Sequence, residues 1–405
     1  MRILYLTQWF DPEPGVIKGP EFVQSLLSSG YEIDVVTGIP NYPGGKVYPG
    51  YKIRLFQKEK MGQLEVRRLP LYPSHDGSAI KRAANYLSFF ASALMYGLWS
   101  ARRYDACYVY HPPITVGLAA AIFCGIWRKP FILEIQDLWP DTVAGSGMAG
   151  GSRIVRALEM ICNFVYRRAA RIIVQSEGMS TILIERGVPA AKLHVVRNWA
   201  DQTALQVQDH RVEAEQAANE KFTFVYGGNL GKAQALQSIV RAAKRVADNG
   251  VEISVKLIGT GIEETALKQL AIDEKIPNVE FIARVPKEEI GKYFARADCL
   301  LMHLADLPLF AVTLPSKTQF YLASARPILA GVSGEAADIL NRSCAAGVVK
   351  PEDEEAIAEA MIAMAKKSAA ELAEMGDNGR QFYRDNLSFK TGMTATLKVI
   401  QLLAK

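Results

Sequence analysis

Three short stretches of this chain carry residue types suited to meeting a phosphate. The first, Thr313-Leu314-Pro315-Ser316-Lys317, runs into a helical stretch at 318–324. Pro and Ser at a helix start leave backbone N–H groups pointing outward, and Lys317 adds a point charge beside them. A simple capped helix is the plain alternative. The second, Tyr226-Gly227-Gly228-Asn229-Leu230-Gly231-Lys232-Ala233-Gln234, is a glycine-rich turn with one cation, Lys232, and lacks the G-x-x-x-x-G-K-[ST] of a Walker loop. The third, 11–20, holds Gly15 and Gly19 before a helix expected at about 21–29. Glycines there admit an anion to a helix N-terminus, or merely make a turn. A fourth stretch, Glu134-Ile135-Gln136-Asp137-Leu138-Trp139-Pro140-Asp141, sets carboxylates and an amide at a strand end, where they face a ligand or cap the next helix. Gly259-Thr260-Gly261 starts like a dinucleotide fingerprint, but Glu264 stands at its third glycine position.

The elements that must position these loops alternate between short β-rich runs and helical-period segments. Strands are expected at 2–7, 32–37, 106–110, 131–135, 171–175 and 193–197, then at 222–227, 253–258, 279–282, 298–303, 327–330 and 346–349. Each set reads as a parallel, doubly wound sheet, and ligands in such sheets sit beyond the carboxyl ends of the strands. With 405 residues, two domains are the expectation. The fold class is α/β: two Rossmann-like domains, 1–197 and 221–386, facing across a cleft. The polar segment 198–220 reads as a linker, and 387–405 as a helix packing back on the first domain.

A composition of 49% hydrophobic and 22% charged residues excludes disorder, and a net charge of +5 gives no reason to expect nucleic acid as a partner. The charge is uneven. Residues 1–200 carry 23 basic and 15 acidic side chains, the remainder 24 and 27. The basic half should meet an anion, either a phosphate or a membrane surface. Residues 83–101 run nineteen positions without a charge between Lys81-Arg82 and Arg102-Arg103. Spanning a bilayer there would split the first sheet, so the segment 81–103 is expected to lie in the headgroup region or to serve as a core helix. Residues 114–127 read as a buried crossover helix. Five scattered cysteines and an opening strand without a leader point to a reducing, cytoplasmic setting, peripheral to the inner face of the membrane.

On the motifs EIQDLWPD (134–141), GGNLGKAQAL (227–236) and LPSKTQFYLASARPILA (314–330), the chain resembles the retaining glycosyltransferases of family 4, nearly end to end. It looks most like bacterial members that build O-antigen and capsule. The resemblance implies the GT-B fold, with a nucleotide-diphosphate sugar, expected to be a UDP-hexosamine, held mainly by the C-terminal domain. It implies an acceptor on the N-terminal domain, no cofactor and no obligatory metal; the basic first half and the segment 81–103 point to a polyprenyl-diphosphate-linked acceptor. Lys317, the amides around Leu314 and Ser316, and the Gly15–Gly19 loop would then meet the diphosphate, with Gly228, Asn229 and Lys232 alongside. Arg284 and Val285 fall where such enzymes hold the base, while Asp137 and Gln136 join Lys317 in catalysis.

The chain departs from the family at several places. Asn229 and Gln234 replace a common Arg and Lys, Gln136 replaces a frequent His, and Val312 and Phe320 replace a pair of glutamates eight positions apart. Glu335 is the carboxylate expected to take over the ribose. Two rival readings share the architecture: a sugar-nucleotide epimerase, and a non-catalytic nucleotide-sugar-binding partner of a transferase.

Overall fold

A computed structural model describes residues 1–14, 17–62, 64–74, 78–142, 152–201 and 221–403. The chain divides into two compact units, Met1–Arg197 with Met393–Lys405, and Asn198–Gly392.

The first unit is built on eight strands: β1 (Arg2–Thr7), β2 (Glu32–Gly38), β3 (Gln57–Met61), β4 (Leu64–Leu69), β5 (Ala106–His111), β6 (Phe131–Ile135), β7 (Arg171–Val174) and β8 (Leu193–Val195). Their order is β3-β4-β2-β1-β5-β6-β7-β8, and every pairing is parallel except β3 with β4. β5 and β6 are buried at every position, as strands covered on both faces must be. The pair β3 and β4 is absent from the sequence-based expectation. β3 reads QKEKM with alternating exposure, and a charged edge strand carries almost no hydrophobic signal.

The second unit holds β9 (Phe222–Gly227), β10 (Ile253–Ile258), β11 (Val279–Ile282), β12 (Cys299–His303), β13 (Ile328–Gly331) and β14 (Ala346–Val349). Their order, β11-β10-β9-β12-β13-β14, is the doubly wound 3-2-1-4-5-6 arrangement, parallel throughout. The order reverses between β9 and β12, so the loops after those two strands diverge and leave a crevice. In the first sheet the corresponding reversal lies between β1 and β5.

Most of the expected linker, from 202 to 220, lies outside the described residues. Its opening is packed rather than free. Trp199 is buried, 5.0 Å from the ring of Phe389, and the Ala200 amide donates to the Tyr383 hydroxyl at 3.3 Å. The helix Phe389–Gln401 begins in the second unit and, from Met393 on, is counted with the first.

The uncharged segment forms the helix Ala79–Ser100, capped by the Ser78 side chain. One face buries Asn85, Phe89, Ala93 and Tyr96 and packs against the helix Ile114–Ile126, itself the buried crossover that its sequence suggests. The other face exposes Leu87 (58%), Met95 (62%) and Trp99 (60%), with Arg103 stacked on Trp99. None of the described helices is long and apolar enough to cross a membrane. The two faces differ energetically. Phe89→Ala should lower the unfolding free energy by about 3–5 kcal/mol, and Leu87→Ala, two positions away, should change it by less than about 0.5 kcal/mol. Urea titrations of the two variants check this directly.

Candidate active site

In the second unit the chemistry gathers around the β9–β12 reversal. Lys317 lies in the first turn of the helix Ser316–Ala323, which starts from Pro315 after β12. Its Nζ donates to the Tyr226 hydroxyl at 2.6 Å and stands 4.1 Å from the centre of that ring. Tyr226 in turn donates to the Asn229 carbonyl at 2.7 Å. No carboxylate among the described residues lies within ion-pair distance of Lys317, and desolvation pushes its ammonium down to about 7. The first-turn amides of the same helix have no partner within it, and they bring the positive end of the helix dipole to this spot. A cation without a counter-ion among the described residues thus stands beside a helix start.

The glycine loops explain how Lys317 gets so close. Gly228 has φ +147°, and a Cβ there would lie 2.7 Å from the Lys317 Cε and Nζ. Gly259, after β10, has φ +148°, and a Cβ on it would overlap the Gly228 carbonyl oxygen. Backbone bonds knit the two loops, Gly228 N to Ile258 O at 2.9 Å and Leu230 N to Thr260 O at 2.9 Å, while Gly259 N donates to Ile282 O at the end of β11 at 3.0 Å. Gly259 and Gly261 therefore serve backbone packing under the 227–231 loop.

The remaining expected residues of this unit line the same sheet edge. Leu314 is buried and Ser316 exposed. Lys232 is exposed on the short turn Lys232–Gln234. Asn229 and Gln234, where the resembling family has cations, bond to each other at 3.4 Å. Phe320, at one of the family's glutamate positions, is packed edge-on to Phe294, so no carboxylate is offered there. Glu335 sits half-buried in the first turn of the helix Gly334–Ser343, after β13. Gly334, at φ +64°, lets that turn press against the Ala311 carbonyl, where a side chain would collide. Arg284 is exposed and Val285 half-buried in the loop after β11, two strands away from β9. His303, at the end of β12, is structural: its Nε2 accepts from Glu352 N at 3.0 Å, so its Nδ1 donates to the Gln234 carbonyl at 2.8 Å.

In the first unit Gly15 lies outside the described residues. Gly19 is the N-cap of the helix Pro20–Ser28. Gln136 and Asp137 follow β6, both half-buried, and desolvation raises the Asp137 carboxyl above its usual range. Asp141 is committed to Arg186, which donates to both its oxygens at 2.7 Å. Two features carried no recognisable motif. Glu13 is buried and accepts from the amides of Asn41 (2.7 Å), Tyr42 (2.8 Å) and Phe10 (3.2 Å); desolvation nonetheless pushes its carboxyl up to about 7. A run of rings also follows this edge: Trp9 lies 5.1 Å from Tyr42 and 6.5 Å from Tyr86, Tyr86 6.2 Å from Trp139, and Trp139 6.0 Å from His111. Burial pushes His111 down to about 3, so it stays neutral.

The state of Lys317 has a measurable consequence. Its folded pKa is about 7 against an ordinary 10.5, so the unfolded chain binds the extra proton between those values. Stability should rise with pH across that window, and the burden of the charge is complete below about pH 7. Lys317→Met should raise the melting temperature at neutral pH by a few degrees, since ~1 kcal/mol corresponds to about 2–4 °C in units of this size. It should also flatten the rise between pH 7 and 10, as followed by thermal melts in a buffer series.

Residues 20–199 match the family model described as glycosyl transferase 4-like domain, and residues 221–367 match glycosyl transferases group 1. The chain is 26% identical over 320 residues to the putative colanic acid biosynthesis glycosyl transferase WcaI of Escherichia coli, covering 75% of this chain and 76% of that protein. It is 25% identical over 208 residues to the probable glycosyltransferase WbjE of Pseudomonas aeruginosa, about half of each chain. Among solved structures, sucrose-phosphate synthase from Thermosynechococcus elongatus superposes with a TM-score of 0.72 at 14% identity, covering 100% of this chain and 99% of the other. Anabaena HepE, solved in complex with UDP and glucose, superposes with a TM-score of 0.62 at 15% identity over 100% of both chains. Two Rossmann-like sheets and two consecutive glycosyltransferase domains agree, and the chain belongs to the glycosyltransferases of the GT-B fold.

Proposed function

We propose that this enzyme is a retaining glycosyltransferase of the surface-polysaccharide branch of family 4. It moves a sugar of N-acetylhexosamine type from a UDP-linked donor to a polyprenyl-diphosphate-linked acceptor. The observation that carries the reading is Lys317, an ammonium held without a counter-ion beside a helix start, at the sheet reversal where nucleotides bind. The UDP in the HepE structure and the colanic acid pathway in the name of WcaI support the donor and the pathway.

In this reading the anomeric C–O bond to the diphosphate breaks and its electron pair goes to the leaving phosphate. Lys317 and the amides near Leu314 and Ser316 meet that developing charge, with Gly228, Asn229 and Lys232 alongside. The acceptor hydroxyl attacks on the face that the diphosphate leaves, and its proton passes to a phosphate oxygen. Gln136 and Asp137 orient that hydroxyl. Arg284 and Val285 hold the base, and Glu335 holds the ribose in place of the carboxylate replaced by Phe320. The positive charges supplied by the protein make a divalent ion dispensable.

Aromatic rings from Trp9 to Trp139 suit the apolar faces of an acceptor sugar. The exposed Leu87, Met95 and Trp99, bounded by Arg102 and Arg103, suit the headgroup region of an anionic membrane, where the lipid part of the acceptor resides.

Transfer from UDP-N-acetylhexosamines to synthetic polyprenyl-diphosphate-linked sugars should persist in excess chelator, and mass spectrometry of the product reads both sugar and linkage. Glu335→Ala should raise the donor KM about tenfold or more, as loss of a buried hydrogen bond to a charged group does, while the melting temperature stays put; an unmoved KM removes Glu335 from the ribose site. Leu87→Asp with Trp99→Asp should abolish flotation with anionic vesicles at low salt and leave transfer to a short, water-soluble acceptor intact.

A further inference from the structure

The deepest charges of the first unit have no part in the mechanism above. The side chains of Lys18 and Glu134 are both wholly out of solvent, with Nζ 2.8 Å from Oε1. Gln136 Nε2 donates to the same Oε1 at 2.8 Å, and the Tyr108 hydroxyl donates to Oε2. One carboxylate thus collects donors from the turn after β1, from β5 and from the end of β6. Beyond it, the Gln136 side-chain oxygen Oε1 accepts from Gln175 Nε2, and the Lys18 backbone carbonyl accepts from the Tyr5 hydroxyl at 2.7 Å.

Stability alone is a poor reason for such a cluster, because an apolar pair of similar volume commonly does as well in a core. Orientation is a better one. A carboxylate only accepts, so Gln136 must turn its NH₂ toward Glu134 and its oxygen toward Gln175, and the amide cannot flip. Lys18 precedes Gly19, the cap of the helix Pro20–Ser28, so the same pair also fixes the turn that opens that helix. Desolvation lowers the Lys18 pKa and the Glu134 carboxylate opposes that shift, and the ammonium also stands 5.2 Å from the centre of the Phe22 ring.

We propose that the buried Lys18–Glu134 pair is a positioning device, which sets the angle at which the Gln136 amide and the Ile17–Gly19 turn meet the substrates. The proposal rests on the glycosyl-transfer reading. Its test compares three variants of the full chain, using UDP-N-acetylhexosamine with a polyprenyl-diphosphate-linked sugar for turnover and UDP alone for binding. Tyr108→Phe removes one hydroxyl from the carboxylate and should lower kcat about tenfold, while UDP affinity, carried by Lys317, changes less than about threefold. Lys18→Met with Glu134→Leu should fold and lose about 100-fold in kcat. Lys18→Met with Glu134→Gln keeps an acceptor for Gln136, and it should recover at least tenfold of that loss with no gain in melting temperature. Turnover that follows melting temperature across the variants, or wild-type kcat in Tyr108→Phe, overturns the positioning role alone; Tyr108→Phe decides if the double variants do not fold. Wild-type protein that transfers no sugar overturns the glycosyl-transfer reading and this role with it.

Discussion

An ammonium that no carboxylate among the described residues neutralises organises the second unit. Taking a lysine out of water without a counter-ion is costly, and the chain accepts that cost at Lys317 by giving its Nζ only a phenol oxygen and a ring face. Several features around it exist to make this contact fit. Gly228 lacks the side chain that would collide with the lysine, Gly259 lets the next loop lie directly beneath, and Tyr226 is anchored on the Asn229 carbonyl. An arriving diphosphate would supply the missing charge where it is worth most, in surroundings already arranged and partly dry.

The two units treat the buried Lys18 and the half-buried Lys317 in opposite ways. Lys18 is paired, and its carboxylate is saturated by donors from three elements. Lys317 has no such partner among the described residues. A paired charge in a core fixes geometry, whereas an unpaired one at a sheet edge demands a ligand. The contrast separates residues that hold the site from residues that would touch substrate.

The helix Ala79–Ser100 does two jobs with one uncharged segment. Phe89 and Tyr96 anchor it in the sheet covering, and about 100° of rotation per residue carries Leu87, Met95 and Trp99 to the outside. Its polar residues are used locally: Asn85 accepts from Gln8 at 2.6 Å and donates to the Tyr72 carbonyl at 2.7 Å. A hydropathy run with such internal commitments does not behave as a span.

Much of this was legible in the amino-acid sequence. The alternation of apolar runs and helical segments determined two doubly wound sheets, because strands covered on both faces must be continuously apolar. The LPSK and GGN motifs marked Lys317 and the Gly228 loop, since phosphate sites need glycines and helix starts close together in sequence. The edge strand β3 stayed hidden because charged, half-exposed residues leave no periodic signal. The contacts of Tyr226, Gly259, Lys18 and Glu134 stayed hidden for a different reason. Their partners lie 31 to 116 residues away, as Lys317 lies from Tyr226 and Glu134 from Lys18. Only the strand order brings those distant positions to one edge, and only there do burial and distance decide whether a lysine is paired or left waiting for an anion.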